Sequence, residues 1–159
     1  DGSYHLMGCM LSAASCNKWW MDDIIGTKDY GAEQENITKL GENHVFFLPY
    51  LMGERSPHND PNARGTFIGL TMDTTRADMT QAVLEGVAFA LRDSFEVARS
   101  LGIHIARTRI CGGGAKSPLW KKIVADMKRG LELNPKDIQE FNGQYANQPG
   151  NNTTNILGL

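Results

Sequence analysis

A five-residue β-forming run, RTRIC at 107–111, passes directly into Gly112-Gly113-Gly114-Ala115 and then into a segment opened by Ser117 and Pro118. No other feature constrains the fold as much. Three glycines in a row end a strand and permit a turn with positive φ. Ser117 is a good N-cap, and Pro118 suits the first helical position, where a missing N–H is harmless. The helix predicted over 118–129 carries Leu119, Ile123, Val124 and Met127 on one side and closes on Lys128, Arg129 and Gly130. A strand fed through a glycine turn into a helix is an α/β unit. Glycines also let a backbone approach a ligand, and the helix start behind them offers unpaired N–H groups and the positive end of a dipole. That combination suits the phosphate or sugar of a nucleotide. The spacing is neither Walker A nor G-x-G-x-x-G. A bare strand-to-helix turn would use the same residues, so the motif alone leaves both readings open.

The rest of the chain supplies partners for this unit. Thr75 and Asp78 form a capping box with Asp in place of Glu or Gln, ahead of a helix over 76–101. Met79, Val83, Val87, Leu91 and Phe95 recur every four residues along it, and Gly102 stands at its C′ position. Gly86 in mid-helix costs about 1 kcal/mol relative to Ala and predicts close approach of a neighbouring element. Residues 8–24 read as a helix stopped by Gly26, with Leu11, Trp19 and Ile24 as its apolar face. Residues 27–43 read as loop plus a short helical piece. VFFLPY at 45–50 and TFIGLT at 66–71 read as strands, with Pro49 limiting pairing. Between them, 51–65 is a long Gly-, Pro- and Asn-rich loop of the kind that tends to be functional. Leu131 to Leu133 could start a further strand. From 141 onward the chain is uncharged and rich in Asn, Gln and Gly, and is expected to be loosely ordered.

Composition excludes several classes. The chain has 159 residues and a formal net charge of −2, with its charges intermixed, so no nucleic-acid-binding patch is expected. No apolar run reaches the roughly 20 residues that would span a bilayer. No signal peptide opens the sequence, so the expected location is the cytoplasm. Three cysteines, Cys9, Cys16 and Cys111, make no CxxC pair and read as small buried hydrophobes. The four histidines are scattered singly, without metal-ligand spacing.

Three segments together carry a resemblance: HVFFLPYLMGERSPHNDPNARGTFIGLT, DMTQAVLEGVAFALRDSFEV and RICGGGAKSPLWKKIVADM. In order and spacing they resemble the FGGY family of carbohydrate kinases, and within it the xylulokinase group, where a PYLxGERxPHxxPxARG loop is characteristic. The resemblance covers about residues 4–127. It implies an α/β fold of the ribonuclease H-like type, as in the actin and hexokinase ATPases, but incomplete, with 1–130 as part of the C-terminal, nucleotide-binding domain and 131–159 as a divergent tail.

Carried over by residue, Gly112, Gly113, Gly114 and Ala115 match the family's adenosine-binding loop, and Ser117 a position close to the nucleotide. The resemblance implies ATP and Mg²⁺ as cofactors and a ketopentose as the sugar, D-xylulose being phosphorylated at its 5-hydroxyl. The family's catalytic Asp, in a Gly-Asp motif, and its phosphate-contacting Gly-Thr-x-Gly stretch lie upstream of the matched region, so no catalytic residue and no metal ligand is assigned. A fragment of this kind is expected to be inactive and to bind ATP or ADP weakly, with sugar bound only in company of an N-terminal domain. Ala14 and Ser15 stand where glycines are common near the family's phosphate region, which argues against a contact there, and Lys18, though it could point to the same cleft, reads as a solvated lysine. The loop at 54–60 is expected to be structural, with Glu54 and Arg55 paired and Asp60 forming a turn. After 127 the family pattern is lost, which leaves a sheet edge open to a homodimer. The rival reading is a non-catalytic nucleotide-binding or interaction module on an actin-like fold.

Overall fold

A computed structural model describes residue 2 and residues 4–105, 107–129 and 154–158. Its spine is α3, Arg76–Ser100. The capping box is formed in both directions: Asp78 N donates to Thr75 Oγ1 (3.2 Å), and Thr75 N donates to Asp78 Oδ2 (2.8 Å). Val83, Leu84, Val87, Leu91 and Phe95 are buried, and Met79 is half-buried beside them. Gly102, with φ +78°, follows the helix end.

Other elements pack around this helix. β1, Phe46–Leu48, pairs antiparallel with β2, Thr66–Ile68, placing Phe47 opposite Phe67. Both strands are shorter than their sequence runs predict. Pro49 lacks the N–H that would continue β1, and Gly69, at φ +89°, turns the chain close against His44. The close approach predicted at Gly86 is present. A methyl group there would lie 3.1 Å from the carbonyl carbon of Phe47, with the carbonyl oxygen nearer still.

The first helix departs from expectation. α1 is Ala13–Lys18, preceded by irregular chain and continued by a π-helical stretch, Trp19–Ile25, which Gly26 ends at φ +78°. Its buried face is Cys16, Trp20 and Met21, whereas Leu11 and Trp19 are half-buried and Ile24 is exposed. The wider turn of a π-helix explains the shift. Ile25, five residues after Trp20, returns to the core in place of Ile24. α2, Tyr30–Glu35, is capped by Asp29, which accepts from Ala32 N at 3.0 Å. It is tied to α3 by an ion pair between buried Glu33 and Arg76.

β3, Arg107–Cys111, leads through a single 3₁₀ turn, Gly113–Lys116, into α4, Pro118–Arg129. α4 lies on α3 through Trp120, Ile123, Val124 and Met127. Trp120 was absent from the predicted apolar stripe. It is buried, and its indole N–H donates to Leu84 O at 3.0 Å. In the tail, 154–158 forms β4, parallel to β3 from Arg107↔Thr154 to Cys111↔Gly158. Loose order was expected there. The open edge of β3 offers a row of backbone donors and acceptors, and an extended segment satisfies them regardless of its side chains. The strand suggested at 131–133 and the rest of the tail lie outside the described residues. Of the cysteines only Cys16 is buried; Cys9 is half-buried and Cys111 is exposed. Cys111 sits last in β3, where alternation turns it away from buried Thr108 and Ile110.

Candidate functional site

A cavity of about 680 Å³ opens between the glycine turn and the first two helices. One wall is the β3–α4 connection: Gly113, Gly114, Lys116, Ser117 and Pro118, with Trp120 behind. The other is Ala14, Ser15, Asn17 and Lys18 of α1, with Tyr30, Gly31 and Gln34 of α2. Its size falls within the ordinary range for small-molecule and cofactor sites.

Local chemistry builds the glycine wall. Gly112 has φ +90° and ψ −172°, a conformation that glycine alone adopts readily. Gly113 faces open space, with no atom within 4 Å of the position a side chain would take. Gly114 is buried. Ser117 caps α4 by accepting from Trp120 N (3.0 Å), and its hydroxyl donates to Gln34 Oε1 (2.6 Å), joining the two walls.

The opposite wall is polar at its rim. Lys18 is exposed and pairs with Asp22 at 3.4 Å. Tyr30 donates to Asp22 Oδ1 at 2.9 Å. That bond, ahead of Lys18 and Lys28, holds the Asp22 carboxyl below its usual range. Burial, followed by Asp22, raises the Tyr30 phenol. Asn17 is 5% exposed, yet its Oδ1 has no hydrogen-bond partner among the described residues.

Of the residues predicted from sequence, Gly113, Gly114 and Ser117 line the cavity. Gly112 shapes the turn from outside it, and Ala115 packs against the core. Ala14, Ser15 and Lys18 also line it. Asn17, Tyr30 and Gln34 were not singled out. The spacing of Asn17 from Ala14 was a usable signal, whereas nothing local marks Gln34, which comes to Ser117 across 83 residues of chain. In the 51–65 loop, Asp60 forms the expected turn by accepting from Asn62 N at 2.8 Å. Glu54 takes the backbone N–H of Arg55. No three His, Cys, Asp or Glu side chains among the described residues form a metal-ligand set, and no described helix is long and apolar enough to cross a membrane.

The model of the FGGY family of carbohydrate kinases, C-terminal domain, matches residues 1–131. The chain belongs to that family. Relatives agree with this placement in the FGGY family. The xylulose kinase of Escherichia coli (strain K12) is 42% identical over 126 residues, covering 78% of this chain and 26% of that protein. The crystal structure of a xyloylose kinase from Brucella ovis aligns with TM-score 0.73 and 38% identity, covering 91% of this chain and 28% of that one. That of xylulose kinase from Bifidobacterium adolescentis aligns with TM-score 0.66 and 35% identity, over 74% and 23%. The chain thus spans about a quarter of the length of the curated relatives it matches.

Proposed function

We propose that this FGGY domain is the nucleotide-binding part of an ATP-dependent sugar kinase, with an incomplete ribonuclease H-like fold and D-xylulose as the sugar. The observation that carries the reading is the cavity whose one wall is a glycine turn running into the start of α4. Gly113 and Gly114 leave room for a nucleoside against the backbone, and the first turn of α4 turns its positive end toward that space. Lys116, and Lys18 in its pair with Asp22, stand at the rim. The named relatives supply the substrate half of the proposal: those cited above are xylulose kinases.

In this reading the chain binds and orients ATP, and the two walls exclude water from the nucleoside. Phosphoryl transfer needs a carboxylate to accept the sugar hydroxyl proton, with Mg²⁺ neutralising charge on the phosphates. We assign neither to residues of this chain; both, with the sugar site, belong to the rest of a longer cytoplasmic kinase, and the chain by itself is inactive.

Calorimetric titration with a non-hydrolysable ATP analogue tests the site. The wild-type chain should release heat of binding and Gly113→Val should release none. The circular dichroism spectrum should be unchanged, because the new side chain meets open space. Equal affinity in both proteins would show that the glycine wall is only a turn.

A further inference from the structure

The cavity needs two walls at a fixed separation, and α1 begins without a side-chain cap. Its N-cap, Ser12, has φ −125° and ψ 44°. The Ser12 hydroxyl is buried and has no partner among the described residues. What holds the start of α1 is the 51–65 loop. Glu54 is 2% exposed, and its Oε1 accepts from Leu11 N (3.2 Å), 43 residues away, and from Arg55 N (2.7 Å). Beside it, Ser56 N donates to Cys9 O and Cys9 N donates to Ser56 Oγ, both at 3.1 Å. The Cys16 thiol, inside α1, has two carbonyl acceptors in reach, Ser12 O at 2.5 Å and, just ahead of the loop, Pro49 O at 3.3 Å. The loop is itself braced, since Glu54 and Asp60 exchange both backbone hydrogen bonds at 2.9 Å.

Burying a carboxylate is costly unless its oxygens are met by donors. This one meets two backbone N–H groups through Oε1, just ahead of a helix start where negative charge also suits the dipole, while its Oε2 is buried without a partner among the described residues. We infer that Glu54 is a positioning residue for the nucleotide cavity: it fixes the start of α1 and so sets the α1 wall against the glycine turn. The inference rests on the nucleotide reading of that cavity. Glu54 does not line the cavity and acts through α1. Without its carboxylate, Leu11 at the helix start loses its hold, and Ala14, Ser15 and Asn17 lose register with Gly113 and Gly114.

Cys16 provides a readout independent of nucleotide. It is fully buried. Its thiol is pushed up to about 12, chiefly by that burial and then by the charge of Glu54. It should therefore resist alkylation while α1 is held and react once α1 is released. The test uses the 159-residue chain as wild type, Glu54→Ala, Glu54→Gln and Ser56→Ala. Affinity for the ATP analogue is measured by calorimetry, and iodoacetamide alkylation at Cys16 by peptide mass spectrometry. Loss of a hydrogen bond that strands a buried partner should weaken binding in Glu54→Ala by about tenfold or more. Cys16 should alkylate correspondingly faster. Glu54→Gln keeps an amide oxygen for the same N–H groups and should restore affinity toward wild type; affinity is its only readout, because loss of the Glu54 charge by itself eases ionisation of the Cys16 thiol. Ser56→Ala, which empties no buried volume of Glu54's size, should move both in the same direction as Glu54→Ala and carries the test if Glu54→Ala does not fold. Wild-type affinity and wild-type alkylation in folded Glu54→Ala, or in Ser56→Ala where Glu54→Ala does not fold, would overturn the positioning role. A wild-type chain that binds no analogue would overturn the nucleotide reading itself and, with it, this role.

Discussion

Gly86→Ala sets two effects of opposite sign against each other. By helix propensity alone, alanine should stabilise α3 by about 1 kcal/mol. The tertiary contact opposes this. The added methyl lies 3.1 Å from the Phe47 carbonyl carbon and 3.3 Å from its Cβ, with the carbonyl oxygen inside contact distance. The obstacle is backbone, which cannot rotate away as a side-chain tip could. Phe47 is also fixed, stacked on Trp19 (6.2 Å, 13°) and packed on Phe67 (4.6 Å). Overpacking of this kind costs about 1–3 kcal/mol, and a clash with backbone belongs at the upper end. Net of propensity, Gly86→Ala should lose about 2 kcal/mol. Urea unfolding followed by tryptophan fluorescence would measure it, since Trp19 and Trp20 sit in the same aromatic cluster. A lower midpoint at unchanged slope is expected. An unchanged or raised midpoint would mean that propensity wins and that β1 does not press on α3 at Gly86.

Other perturbations probe the helix start and the flank of α3. Thr75→Ala should cost about 1 kcal/mol by removing the cap of α3, read as a lower urea midpoint. The Thr75 backbone N–H, and then its hydroxyl, hold the Asp78 carboxyl below its ordinary 3.8. Asp78 therefore contributes stability above that pH and loses it as pH falls through the depressed value, so the deficit of Asp78→Asn should be full at neutral pH and vanish in acid. Glu85 behaves oppositely. Burial raises its carboxyl above 4.5, against the Gln81 hydrogen bond. The stability it contributes is present below 4.5 and lost as pH rises through the raised value. Glu85→Gln should accordingly unfold at higher urea than wild type near neutral pH, with the gap closing in acid. A gap equal at both pH values would refute the burial argument.

Legibility in the sequence followed the range of the interactions. The cap at Thr75, the four-residue stripe of α3, the turn at Asp60 and the Ser117–Pro118 start of α4 were all readable, because each is decided within about one helical turn or tight turn. The buried face of α1 departs from the 3.6-residue expectation because a π-helical stretch changes the period, and no residue from 19 to 25 announces it. Half of the candidate site was legible as well. Gly113, Gly114 and Ser117 were named, while Asn17, Tyr30 and Gln34 were not, since a cavity wall is defined by what stands opposite. Glu54 and Arg55 were expected to pair as charges; the carboxylate instead meets backbone N–H groups, one of them 43 residues away.

By itself, the sequence determined the helices and strands with strong local signals, the glycine turn and, through three motifs in order, the family of kinases to which the chain belongs. Those follow from side-chain periodicity, capping and backbone freedom, which act between near neighbours. The tertiary structure decided that Gly86 exists to admit β1, that α2 brings Gln34 to Ser117, and that Glu54 holds the start of α1. Each of these is a contact between segments distant in the chain, settled by packing and by the need to satisfy buried polar groups, and none is written in any single stretch of residues.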